Sequence, residues 1–184
     1  LAVSIEICSG HIETTVWGET SAMVLAPEPE RQEGREVAQQ PERRMLTYRG
    51  TVYPWHCDHV GHMNVMWYVG KFDEATWHLF NTIGLTPNYL KENRRGMAAV
   101  DQQISYLREL HAGAVVSVHS SVVEIVEKRI TFSHEMRNDE TGEVAAHTTL
   151  KAVHLDAELR KACAFAPEIL ASAKAMIPAG SAPA

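Results

Sequence analysis

Apolar and polar residues alternate from Leu46 to Trp55, LTYRGTVYPW, in a stretch rich in Thr, Tyr and Val. That pattern predicts a β-strand. The period then lengthens. From Asn64 to about Ile83, the residues Val65, Tyr68, Val69, Phe72, Ala75, Thr76, Leu79 and Ile83 recur at spacings of three and four, which predicts a long amphipathic helix. Gly84 fits its C-terminal cap. Thr86 and Pro87 fit the start of a second, short helix to about Asn93. Gly96 is expected to break the chain again. Strand patterns follow over Met97 to Leu107, Ala114 to Glu127, Arg129 to Arg137 and Val144 to Leu155. In the third of these, Ile130, Phe132, His134 and Met136 share a face. Asn138-Asp139-Glu140-Thr141-Gly142 reads as the hairpin turn that follows it. Pro167 to Ala175 fits a closing helix, and the end from Pro178 to Ala184 is expected to fray.

A strand, a long helix and then strands in hairpin order predict an α+β fold, an antiparallel sheet wrapped around one central helix. The helix carries more apolar surface than one sheet contact needs. Met66, Gly70 and Trp77 line a second face beside Asp73, where a solvated helix would be polar. Gly70 costs about 1 kcal/mol against Ala in a helix interior, which implies close approach of a ligand or a partner subunit.

Ahead of this domain, Pro27 to Arg44 (PEPERQEGREVAQQPERR) has no apolar period and too little surface to bury to offset ordering. It reads as a linker or disordered arm. Met45 reads as a natural start, with residues 1–44 an extension or a mis-set start. The organisation expected is therefore residues 1–44, a folded domain over 45–170, and a tail over 171–184. The chain has 184 residues, 45% of them hydrophobic, and a formal charge of −6. Those figures suit one globular domain and offer nucleic acid no broad basic surface. No run approaches the roughly 18 apolar residues that span a bilayer. Three widely separated cysteines, Cys8, Cys57 and Cys163, fit a reduced, cytoplasmic protein.

Candidate chemistry gathers in Trp55-His56-Cys57-Asp58-His59-Val60-Gly61-His62-Met63-Asn64. Asp58 stands three residues before Gly61 and six before Asn64. Gly61 permits a left-handed turn into the helix, and Asn64 is a good N-cap. The helix N-terminus then offers unpaired N–H groups and a partial positive charge, which can polarise a carbonyl and hold a developing oxyanion. A carboxylate a few residues upstream can act on the same carbon, directly or through water. His62 could contact the carbonyl or order the loop, whereas His56 and His59 fit loop packing or exposure. Cys57 has no evident His-Asn logic around it and fits a small apolar filler.

The sequence Asp58-x-x-Gly61-His62-x-Asn64-x-x-x-Tyr68, followed by Phe72-Asp73-Glu74-Ala75, resembles the hotdog-fold acyl-CoA thioesterases of the 4-hydroxybenzoyl-CoA thioesterase type. The likeness continues through Ile104–Arg108, Arg129–Asn138, Thr141-Gly142, Leu155-Asp156 and Pro167–Leu170. It implies a five-stranded antiparallel sheet around the helix and a homodimer or homotetramer with its site at a subunit interface. It implies an acyl-CoA substrate, no metal or organic cofactor, and no nucleic acid or membrane as partner. Asp58 would be the catalytic nucleophile or base, with Glu74 in reserve because another branch uses a helix carboxylate. Gly61, His62, Asn64, Val65, Met66 and Tyr68 would form the substrate site, with backbone N–H groups from Asn64 to Met66 as the oxyanion donors. Arg94, Arg95, Lys128 and Arg129 could meet the coenzyme A phosphates. The aromatics Trp55, Trp67, Tyr68 and Trp77 would suit an aryl group or a quaternary ammonium. The string HMNVMWYVGKFDEATW is similar to thioesterase parts of bacterial carnitine breakdown, which implies a betainyl-type acyl group.

Two other readings fit parts of the pattern. His56, Asp58, His59 and His62 resemble a metal-dependent hydrolase cluster suited to zinc. A hotdog domain can also bind acyl-CoA without turnover, since a fold does not fix a function.

Overall fold

The computed structural model describes residues 44–177. The expectations for residues 1–43 and for the fraying end fall outside the described residues. Strand β1 (Met45–Thr51) opens the fold, and a 3-10 turn over Pro54–His56 follows it. The strand stops short of the expected Trp55. Pro54 has no N–H to give a ladder and fixes its own φ, so it starts a turn instead. Helix α1 (Val65–Thr82) begins at Asn64, whose side chain accepts the Met66 N–H. Helix α2 (Pro87–Glu92) is capped in the same way by Thr86. Strands β2 (Arg95–Tyr106), β3 (Val115–Ile125), β4 (Arg129–Asn138) and β5 (Val144–Asp156) follow, then a two-residue β6 (Lys161–Ala162) and helix α3 (Pro167–Ala175).

The strands pair antiparallel in the order β1-β3-β4-β5-β2, with β6 added to β5. Five long strands around one helix match the expected architecture. The short β6 was not legible, because two exposed residues carry no period. Gly96 does not break the chain but pairs with Leu155 inside β2. The reversal falls two residues earlier, at Arg94, whose φ of 52° is left-handed and whose carbonyl accepts the Ala157 N–H.

Helix α1 lies against β1 and β3. Its buried side carries Tyr68, Lys71, Phe72, Ala75, Thr76, Leu79 and Phe80, with Ile83 just beyond. Two expected stripe members, Val65 and Val69, are 55% and 38% exposed, while Tyr68 and Phe72 beside them are buried. Lys71 is buried in their stead. Its ammonium donates to the Tyr48 hydroxyl at 3.0 Å and stands 5.2 Å from that ring's centre, so the charge keeps polar company. Toward the helix C-terminus, Leu79, Phe80 and Ile83 pack with Ile130, Phe132, Phe165, Ile169 and Ala173 in one apolar cluster. The folded part therefore runs past residue 170, through Ala173 in α3. Toward the N-terminus, Tyr68, Phe72 and Ala75 pack with Val52, Met63, Leu110 and Met136.

A buried polar chain joins helix to sheet between these clusters. The Thr76 hydroxyl donates to the Phe72 carbonyl, which can only accept, so Thr76 receives the His134 Nε2–H at 2.9 Å. Neutral His134 then accepts at Nδ1 from Ser120 Oγ (2.5 Å), and Ser120 Oγ lies 2.5 Å from Thr47 Oγ1. Burial pushes the His134 imidazole down to about 3, so it stays neutral. No helix among the described residues is long and apolar enough to cross a membrane.

Candidate active site

The turn ahead of α1 is closed by backbone bonds on both sides. Asp58 N–H donates to the His62 carbonyl and Gly61 N–H to the Asp58 carbonyl, each at 3.1 Å. Gly61 has a φ of 92°, which a side chain would strain. His111, from the loop after β2, donates its Nδ1–H to the Gly61 carbonyl at 3.1 Å. Met63 N–H reaches the Leu110 carbonyl at 2.7 Å, and Asn64 N–H the His56 carbonyl at 2.9 Å. The loop carrying Asp58 is thus fixed at its tip and at both of its ends.

The Asp58 carboxylate accepts the Val60 N–H at 3.0 Å on one oxygen and Asn64 Nδ2 at 3.1 Å on the other. Asn64 uses its Oδ1 to cap the Met66 N–H at 3.1 Å. One amide side chain therefore ties the acid to the first turn of the helix. The Val60 hydrogen bond, aided by Asn64 and the nearby His62 and His59, holds the Asp58 carboxyl below the usual carboxylate range. The side chain is ionised at neutral pH.

Of the three expected oxyanion donors, two are spent. Asn64 N–H goes to His56 and Met66 N–H to Asn64. Val65 N–H has no acceptor among the described residues and stands at the positive end of α1. Val65 also borders a cavity of about 210 Å³. The loop and helix contribute His62, Met63 and Tyr68 to its wall, and the end of β2 contributes Tyr106, Leu107, Arg108 and Glu109. Asp58 is not in that lining; it joins the wall through the turn that ends in His62 and through Asn64. Tyr68 is 4% exposed and donates its hydroxyl to the Arg108 carbonyl at 3.2 Å. Burial first, then the charge of Glu109 and the neighbouring Tyr106, push this phenol up to about 12.

Gly61, His62, Asn64, Val65, Met66 and Tyr68 thus lie together at one helix end. Glu74 does not lie there. It is exposed, and its place nine residues into α1 puts it about 14 Å along the axis from Val65. The tryptophans also stand apart from the cavity. Trp55 stacks on Tyr53 at 4.5 Å, Trp67 lies on His56 at 4.2 Å, and Trp77 meets Phe80 edge-on at 5.8 Å. The metal-cluster reading loses its geometry. His56 is buried among these rings and accepts the Tyr53 N–H at Nδ1, while His59 is exposed. No group of three metal-ligating side chains converges among the described residues. Sequence reasoning missed Tyr106, Glu109 and His111, which reach the helix tip only because β2 and its loop fold back over it. The Tyr-Leu-Arg-Glu ending of the strand adds to the family likeness but does not announce that it faces the helix tip.

An antiparallel sheet curled about one long helix is the hotdog architecture. Residues 52–172 match the family model of the thioesterase-like superfamily, and the chain belongs to that family. It is a thioester hydrolase of the hotdog fold. The chain is 25% identical over 132 residues to a betainyl-CoA thioesterase of Pseudomonas aeruginosa, a match spanning 72% of this chain and 83% of that one. In structure it is similar to a hypothetical protein of Staphylococcus aureus solved in complex with CoA (TM-score 0.68, 21% identity, 76% of this chain and 90% of that one). It is also similar to a 1,4-dihydroxy-2-naphthoyl-CoA thioesterase of Synechocystis (TM-score 0.63, 16% identity, 70% of this chain and 95% of that one).

Proposed function

We propose that the chain hydrolyses the thioester of an acyl-CoA, with Asp58 as the catalytic carboxylate and the Val65 N–H as oxyanion donor. One observation carries the reading. A carboxylate held in its ionised form is tethered by Asn64 to the helix end whose open N–H borders a cavity. The substrate carbonyl lies against the first turn of α1, where the dipole and the N–H stabilise charge that develops on its oxygen. Asp58 acts on the carbon from the loop side. Ionised at neutral pH, Asp58 can take a proton from water or attack the carbon directly. In the direct route a carboxylate oxygen bonds to the acyl carbon and the coenzyme A thiolate departs, taking a proton from solvent. Water then cleaves the mixed anhydride and restores Asp58. His62 and Tyr68 position the acyl group from the cavity wall.

The part of the acyl group that the cavity encloses is compact. The cavity of about 210 Å³ falls below the roughly 300–1,000 Å³ of pockets for drug-sized ligands. A betainyl-type group, the one named for the Pseudomonas aeruginosa relative, is of that size. The working unit is a homodimer or homotetramer. Among the described residues strand β2 pairs on one side only, and a strand edge of this length is a ready template for a second copy. On α1, Met66 and Trp77 are 62% and 43% exposed, and a methyl at Gly70 would meet nothing within 4 Å among the described residues.

A panel of aryl, short-chain, long-chain and betainyl CoA esters tests the activity through release of free thiol. Coenzyme A binding without release of thiol from any member would make this a non-catalytic acyl-CoA-binding module. Single turnover in heavy-oxygen water tests the route, because a first acid product free of label requires direct attack by Asp58. Sedimentation of the purified chain tests the assembly, and a monomer at micromolar concentration would refute it.

A further inference from the structure

We infer that Glu109, with the Tyr68 and Tyr106 rings, makes the cavity at the helix tip selective for an acyl group carrying a permanent positive charge. The inference rests on the thioesterase reading above and assigns the residues that choose its substrate. The cavity holds one anionic group that no Lys or Arg among the described residues neutralises. Glu109 approaches His62 Nε2 at 3.8 Å, beyond hydrogen-bond reach. The guanidinium beside it is already engaged. Arg108, which also lines the cavity, donates to the Leu107 carbonyl at 2.8 Å and to Glu143 at 3.5 Å, so its charge is shared with a second carboxylate.

The backbone that carries Glu109 is fixed rather than loose. Leu107 and Arg108 N–H groups both donate to the Ala145 carbonyl, at 2.8 and 3.0 Å, and the Leu110 carbonyl accepts from Met63. The Tyr68 hydroxyl holds the Arg108 carbonyl from inside. The main chain that carries this carboxylate is therefore fixed beside the cavity, while the side chain itself is 67% exposed and free to turn toward a ligand.

The rest of the wall suits a cation with a greasy exterior. Tyr68 and Tyr106 meet edge to face with centroids 5.2 Å apart, and Tyr106 is 47% exposed. Met63, Val65 and Leu107 add apolar surface. Quaternary ammonium groups are bound in this way, by aromatic faces and a nearby anion, because they donate no hydrogen bond. A neutral group of the same shape would keep the apolar contacts and lose the attraction. A carboxylated acyl group would be repelled by Glu109.

Betainyl-CoA and 3,3-dimethylbutanoyl-CoA differ at one atom, a quaternary nitrogen against a quaternary carbon. The readout is the ratio of their kcat/KM values within one protein, so any general loss of activity cancels. The wild-type chain should favour the cation by about tenfold or more, the scale of combined cation–π and ion-pair attraction. Glu109→Gln should shrink the ratio by roughly fivefold, and Glu109→Lys should invert it. The preference should also weaken as salt is raised. Equal use of both esters by wild type, or an unchanged ratio in Glu109→Gln, would overturn the assignment. Binding of the two acyl groups on non-hydrolysable ketone analogues of coenzyme A decides the same question without turnover. Hydrolysis of other esters but equal binding of these two analogues sinks the cation site and leaves the thioesterase standing. No hydrolysis of any ester, with tighter binding of the cationic analogue, does the reverse.

Discussion

The two ends of α1 are written in the same alphabet and end in different surroundings. At the C-terminal end, Leu79, Phe80 and Ile83 are closed over by Phe132, Ile169 and Ala173, and every one of them is at most 2% exposed. At the N-terminal end, Val65 and Met66 are mostly exposed, a cavity opens beside them, and the polar groups Asp58 and Asn64 are bonded to each other and to the helix. The C-terminal half holds the fold and the N-terminal half leaves surface and hydrogen-bonding capacity unspent. Apolar periodicity marks where contact is sought. Whether the contact is with the chain's own core is settled by what folds over that stretch.

This contrast can be broken from either side. The largest effect should come from the closed end. Phe132→Ala removes a fully buried ring that packs edge-on against Phe80 and should cost about 3–5 kcal/mol in urea unfolding. Turnover per folded molecule should hold. A loss under about 1 kcal/mol would mean that this cluster is not the stabilising one.

At the open end, Asp58→Asn should lower kcat by about a hundredfold or more while the unfolding midpoint stays put. Near-normal hydrolysis by that variant would move the catalytic role to Glu74 or Asp73.

The seam between the two ends should show as acid sensitivity. His134 is held down to about 3 by burial, against 6.5 for an ordinary imidazole. The unfolded chain binds this proton first, so stability falls as pH drops from 6.5 toward 3, by about 1.4 kcal/mol per pH unit for one group. His56, His119 and His154 are also lowered, by burial first in each case, and act in the same direction. Asp58 and Asp156, with carboxyls below their ordinary range, add acid loss only below about 3.8. Urea unfolding between pH 4.5 and 6.5 therefore isolates the histidines. His134→Gln should reduce the slope there by about one proton, and an unchanged slope would place the acid sensitivity elsewhere.

The smallest effect should join the two properties. Asn64→Ala removes a helix cap worth about 1 kcal/mol and the amide that steadies Asp58. Stability and kcat should fall together in that variant. A stability loss with unchanged kcat would show that Asp58 is set by Val60 alone.

Much of this was legible beforehand because the signals are local. Asn64 and Gly61 mark the helix start through their own backbone and side-chain chemistry, and both behave as read. Ile130, Phe132, His134 and Met136 share a buried face because a strand has a period of two. Glu109 and Tyr106 were not legible, since nothing in residues 106–109 announces a cavity shared with Tyr68, about forty residues earlier in the chain. The aromatic cluster was misread for a related reason. Trp55, Trp67 and Trp77 are near Asp58 along the chain, yet each finds its own ring partner.

The sequence by itself determined the elements, their order, the capped helix start and the acid placed ahead of it. Those follow from side-chain periodicity and backbone preference, which act over a few residues. The tertiary structure alone decided which N–H remained open, which wall faced Val65, and that Lys71 rather than Val65 would be buried. Such outcomes depend on which distant segments compete for the same hydrogen bond or the same patch of surface, and that competition exists only once the sheet has curled around the helix.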